Sequence, residues 1–145
     1  MIRILIADDN ALMLRFLRDA LDRHPGWKVC GQASNGLEAI SQAAELNPDL
    51  MILDLTMPRL NGFQAARTIH TAAPDLPLLL FTHHLSQPLV EDEARNSGFR
   101  GCVPKGSYPL LVAGIECILQ GRTFFSSAHA SVVPVNEDRP PEIVE

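Results

Sequence analysis

The 145 residues include 46% hydrophobic and 20% charged side chains and carry a formal net charge of −5, ordinary values for one soluble globular domain with a buried core. No apolar stretch approaches the roughly 18 residues of a membrane span, and no Lys/Arg cluster offers a footprint for DNA or RNA, so neither membrane insertion nor direct nucleic-acid binding is expected. Cys30, Cys102 and Cys117 are scattered without CxxC or zinc-ligand spacing and read as reduced thiols in or near the core; with strand-like sequence from Ile2 onward, the expected compartment is the cytoplasm.

In chain order, Ile2–Ala7 is an apolar strand run that ends at the acidic turn Asp8-Asp9-Asn10. Leu12, Phe16, Leu17, Ala20 and Leu21 then recur at helical spacing. Trp27–Ala33 reads as a second strand, and Leu37, Ile40, Ala43 and Ala44 as the stripe of a second helix. Asp49–Leu53 forms a third strand that runs out at Asp54 and the polar turn LTMPRLNG, after which Phe63, Ala66 and Ile69 mark a third helix. Leu76–Phe81 is a fourth strand, followed by Thr82, His83 and His84. A short helix is expected over about residues 87–96, with Pro88 in its first turn. Gly101–Val103 is the fifth strand and leads to Lys105; Leu110, Leu111, Gly114, Ile115, Ile118 and Leu119 form the stripe of the last helix. From Gly121 the character changes. Arg122 to Ser127 retain the capacity to pack, whereas VVPVNEDRPPEIVE, residues 132–145, is acidic, Pro-rich and aperiodic, as in a tail or linker. The expected organisation is a folded unit over 1–121 and an extension over 122–145, flexible beyond about 131.

The first, third and fourth strands are continuous Ile/Leu runs rather than alternating patterns, which marks strands covered on both faces. The expected fold is therefore α/β: a flavodoxin-like, doubly wound (βα)5 three-layer sandwich around a parallel five-stranded sheet in order 2-1-3-4-5. In such sheets ligands bind beyond the carboxyl ends of the strands. Asp8, Asp9, Asp54, Thr82 and Lys105 all follow strands, so residues distant in sequence fall on one edge.

Three carboxylates at one edge repel each other by roughly 4 kcal/mol per pair at about 4 Å and an effective dielectric near 20. Such a cluster binds a cation, raises a pKa or recruits a lysine. Its oxygen ligands suit Mg²⁺, which uses one or two carboxylates and keeps sites for phosphate oxygens. In this reading Asp8 and Asp9 hold the metal. Asp54 gives it one oxygen and directs the other at phosphorus, as carboxylate nucleophiles do. Lys105 and Thr82 serve the remaining phosphoryl oxygens. Each post has a plainer occupant. The acid pair also suits a solvated turn and helix cap, Asp54 a helix N-cap, Thr82 a strand-end hydroxyl, and Lys105 any loop.

The motifs IRILIADDN, NGLEAI, DLTMPRLNG around Asp54, then Thr82 and GFRGCVPKGS around Lys105, resemble those of the receiver domain of two-component response regulators over about residues 1–121. The SGFRGCVPK passage is most similar to the subgroup with LuxR-type DNA-binding output domains. The resemblance implies Mg²⁺-dependent phosphoryl transfer from a sensor histidine kinase to Asp54, slow self-catalysed hydrolysis, and the backbone carbonyl of Thr56 as a further Mg²⁺ ligand. The phosphoacceptor reading expects switching of the face built from the fourth helix, fifth strand and fifth helix, which would then meet a second copy, as a homodimer, or an output partner. Such a chain is a regulatory domain rather than an enzyme with a separate substrate.

Two positions depart from the family pattern. Cys102 stands where an aromatic ring usually couples the site to the outer surface, and a thiol is too small to do so. His83-His84 replace the usual small residue after the threonine, and His83 is expected to crowd the site's mouth. These departures motivate a rival reading, a phosphorylation-independent interaction module on the same fold. An aspartyl phosphatase of the haloacid-dehalogenase kind would need a second acid where Thr56 stands, and a flavodoxin-like carrier would not place Asp8 and Asp9 against a flavin phosphate.

Overall fold

A computed structural model of the chain describes residues 1–84 and 89–125. Its elements are β1 (Ile2–Ala7), α1 (Ala11–Asp22), β2 (Trp27–Ala33), α2 (Gly36–Leu46), β3 (Leu50–Leu53), α3 (Gly62–Ala72), β4 (Leu78–Thr82), α4 (Val90–Asn96), β5 (Gly101–Pro104), α5 (Tyr108–Leu119) and β6 (Phe124–Phe125). All strands pair in parallel, in the order β2-β1-β3-β4-β5-β6. The first five follow the expected order. The sixth corrects the expectation of a five-stranded sheet and lies past residue 121, where the folded unit was expected to end.

Successive strand residues face opposite sides, and the uninterrupted apolar runs therefore feed two cores. Ile4, Ile6, Leu50, Ile52, Leu79 and Phe81 pack toward α1 and α5. Leu5, Ala7, Met51, Leu53, Leu78 and Leu80 pack toward α2, α3 and α4. β4 begins at Leu78 rather than Leu76 because Pro77 has no N–H for the ladder.

The helix faces show where periodicity misled. α1 buries Leu14, Leu17 and Leu21, whereas Leu12 is 74% exposed and Phe16 is exposed as well. The segment carries two apolar stripes on different sides of the helix, and the expected set mixed them. Likewise α2 buries Gly36, Ala39 and Ala43 and leaves Leu37 exposed. α4 begins at Val90, later than expected; its N-cap Leu89 has φ +69° and makes no side-chain cap bond. Pro88 and the stretch 126–145 lie outside the described residues.

Helix starts follow the strand exits closely. Asn10, Asn61 and Ser107 cap α1, α3 and α5 by accepting N–H groups of Met13, Gln64 and Leu110. Asn61 and Gln64 complete a reciprocal capping box. Each cap ends the turn that carries a candidate site residue and so limits where that residue goes.

Candidate functional site

Asp8 follows β1, Asp54 follows β3, Thr82 ends β4 and Lys105 follows β5. Asp8 and Asp54 are tied to the sheet through their own backbones, Asp8 N–H donating to Ala33 C=O at 3.0 Å and Asp54 N–H to Ala7 C=O at 2.9 Å. Lys105 N–H donates to Thr82 C=O at 2.9 Å. Parallel pairing thus brings four chain segments to one rim.

Side-chain oxygens of Asp8, Asp9 and Asp54 lie within 4.8 Å of one another. Asp8 is 2% exposed and Asp54 6%, whereas Asp9 is open to solvent. The Lys105 ammonium reaches between the two buried acids, 2.6 Å from Asp8 Oδ2 and 3.4 Å from Asp54 Oδ2, with its side chain only 4% exposed. The remaining oxygens take backbone donors: Asn10 N–H gives to Asp8 Oδ1 at 2.9 Å and Leu55 N–H to Asp54 Oδ1 at 2.9 Å. Even so, burial and the neighbouring Asp8 charge push the Asp54 carboxyl above its ordinary range, against the opposing pull of Lys105 and the Leu55 N–H.

These donors fit a hard divalent cation. Three clustered carboxylate oxygen ligands, two of them buried, already draw a cation, the lysine ammonium, into the gap between them. Asp9 of the cluster is exposed, as is Thr56 two residues after Asp54.

Thr82 is fully buried at the same edge, and its Oγ accepts the N–H of His84 at 3.2 Å. His83 is exposed and His84 half-buried. The loop after Asp54 is shaped by a glycine: a Cβ on Gly62 would lie 2.3 Å from the Asp54 carbonyl oxygen, a distance no side chain tolerates. Cys102 is fully buried toward α4, and burial pushes its thiol up to about 12, with the Glu91 charge adding to the effect. That disfavours the thiolate and makes a redox role for it chemically poor.

Residues 4–113 match the response regulator receiver domain family. The chain belongs to that family. A LuxR-family two-component response regulator from Aurantimonas superposes with a TM-score of 0.79 at 34% identity, covering 84% of this receiver domain and 87% of that structure. The response regulator domain of Thermotoga maritima CheB gives 0.77 at 31% identity, over 83% and 97%. In sequence the receiver is 28% identical to response regulator UvrY of Escherichia coli K12 over 97% of its own length and 64% of UvrY. It is 47% identical over half its length to a protein-glutamate methylesterase/protein-glutamine glutaminase of T. maritima, 21% of which is covered. The chain therefore spans only a part of these curated relatives, and the matched part is shared by regulators with different outputs.

Proposed function

We propose that the receiver accepts a phosphoryl group on Asp54 from the phosphohistidine of a sensor kinase, in the cytoplasm. The observation that carries this reading is the buried Asp54 carboxylate gathered with Asp8, Asp9 and the Lys105 ammonium at one sheet edge. An Asp54 Oδ attacks phosphorus. The O–P bond forms as the P–N bond to imidazole breaks, and its electron pair stays on the ring nitrogen. Water later cleaves the acyl phosphate and restores the carboxylate.

Asp8, Asp9, Asp54 and the Thr56 carbonyl would hold Mg²⁺, which supplies charge neutralisation for the phosphoryl oxygens when bound. Lys105, whose ammonium lies between Asp8 and Asp54, would donate to a phosphoryl oxygen on Asp54. A hydroxyl both donates and accepts, so Thr82 can take the His84 N–H and still donate to the phosphoryl group. The added charge biases α4, β5 and α5, and that face meets a second copy or an output partner. The likeness to a LuxR-family regulator favours transcription control through a domain outside this chain.

The test is intact mass after acetyl phosphate with Mg²⁺. A gain of one phosphate that Asp54→Asn abolishes is expected. No gain at all would favour the alternative of a phosphorylation-independent interaction module, motivated by the fully buried Cys102 and by the His83-His84 pair.

A further inference from the structure

β6 is a two-residue strand with a purpose-built seat. α5 ends in a reversal centred on Gly121, whose φ of +88° suits glycine. Gly121 N–H donates to Ile118 C=O and Arg122 N–H to Cys117 C=O, a Schellman closure that turns the chain back along β5. Phe124 N–H then donates to Arg100 C=O at 2.9 Å, and the register sets Phe124 beside Gly101 and Phe125 beside Cys102. The two rings go to opposite faces. Phe124 is 5% exposed in the core beneath α5, where Gly114 and Gly101 clear its path: a Cβ on Gly114 would lie 3.0 Å from its ring and one on Gly101 2.6 Å from its carbonyl oxygen. Phe125 packs on the opposite core beside Cys102, and the Arg95 guanidinium of α4 lies 3.8 Å from the centre of its ring.

α4 is poorly secured by its own sequence. It has seven residues and no N-terminal side-chain cap, and so short a helix depends on tertiary contacts. Arg67 ties it to α3 through Glu93 and Ser97; Arg95 ties it to β6. The strand is equally marginal, since two residues on a sheet edge bring little of their own. Each element supports the other.

We propose that Arg95 and Phe125 form a clasp through which α4 holds β6 on the sheet, so that displacement of α4 frees that strand. α4 is also the helix that follows Thr82. Under the phosphoacceptor reading, on which only this trigger rests, occupation of Asp54 moves α4 and opens the clasp. The regulated event is then release of β6, Phe124 and Phe125, from the edge of the sheet. Local opening of this kind is a two-state element that a distant ligand can bias.

The experiment follows amide exchange of Phe124 by NMR in the whole chain, with Mg²⁺ and with or without the phosphoryl mimic beryllofluoride. Removal of the cation–π contact by Arg95→Ala should speed Phe124 exchange about threefold without any mimic. The exposed control Arg15→Ala should leave it unchanged. Saturating beryllofluoride should speed the wild type at least as much and add little in Arg95→Ala. By linkage, Arg95→Ala should bind the mimic about threefold more tightly. Unaltered exchange in Arg95→Ala, or in wild type with Asp54 demonstrably occupied, overturns the clasp. Failure of beryllofluoride to bind would instead count against the phosphoacceptor reading, and Arg95→Ala then decides the clasp alone.

Discussion

The Asp54 carboxyl lies where its negative charge is penalised. Burial and Asp8 outweigh Lys105 and the Leu55 N–H, so the folded chain holds a proton there more tightly than the unfolded chain does. Stability must then fall as pH rises through the raised folded value, and the penalty must disappear below the ordinary carboxylate range near pH 4, where both states are protonated. Asp54→Asn removes the charge and keeps the shape. Without divalent metal, the variant should show a higher urea midpoint than wild type at pH 7, and the gap should close as pH drops toward about 4. A variant weaker than wild type at neutral pH would mean that the Lys105 pair outweighs desolvation. The same residues show what sequence discloses at this scale. Asp8, Asp54 and Lys105 were legible because each follows a recognisable strand, and parallel topology does the rest. The division of roles was not. That Lys105 bonds Asp8 at 2.6 Å and only approaches Asp54 at 3.4 Å depends on side-chain reach, which no spacing encodes.

At the scale of elements, the strands were readable from their unbroken apolar runs and the helix stripes less so. α1 has enough apolar residues for two stripes, and only packing selects Leu14, Leu17 and Leu21. β6 went unread because two residues carry no period; its signals were Gly121 as a helix stop and the β-prone Thr123-Phe124-Phe125 after it. The loop between β3 and α3, which carries the proposed acceptor Asp54, has little room at Gly62. Gly62 N–H donates to Leu55 C=O at 2.7 Å, and an added Cβ would collide with the Asp54 carbonyl at 2.3 Å and with Leu55 Cα at 2.9 Å. Gly62→Ala should therefore cost about 1 to 3 kcal/mol, as overpacking does. Because the displaced backbone is that of the acceptor, phosphorylation by acetyl phosphate should fall further than the fraction folded. Parallel measurement of thermal unfolding and phosphate incorporation checks this, and an equal loss in both would reduce Gly62 to a packing role.

At the scale of the molecule, the large apolar side chains left exposed among the described residues are Met1, Leu12, Phe16, Leu37 and Leu89, two of them on one helix. Leu12 and Phe16 are exposed on α1, which starts at Ala11, just past Asp9 and the cap Asn10. Phe16 meets Tyr108, the first residue of α5, edge-on at 5.6 Å, and α5 starts three residues after Lys105. The two helix starts thus form an apolar shoulder beside the acidic rim. Under the proposed function, a small phosphodonor would reach Asp54 without touching it. Under that same function, a protein carrying a phosphohistidine would have to lie against the rim to bring phosphorus within reach of the carboxylate, and the shoulder offers it an apolar surface there. Burial of one such side chain is worth about 1.5 to 3 kcal/mol, and each 1.4 kcal/mol is a factor of about ten. The double variant Leu12→Ala, Phe16→Ala should accordingly slow transfer from a cognate histidine kinase by at least about tenfold while acetyl phosphate labels Asp54 at the wild-type rate. Both side chains are exposed, so the fold should survive, and an unchanged melting temperature would verify that. Equal slowing with both donors would locate the defect in the acceptor site; no slowing with the kinase would remove the shoulder from the docking surface.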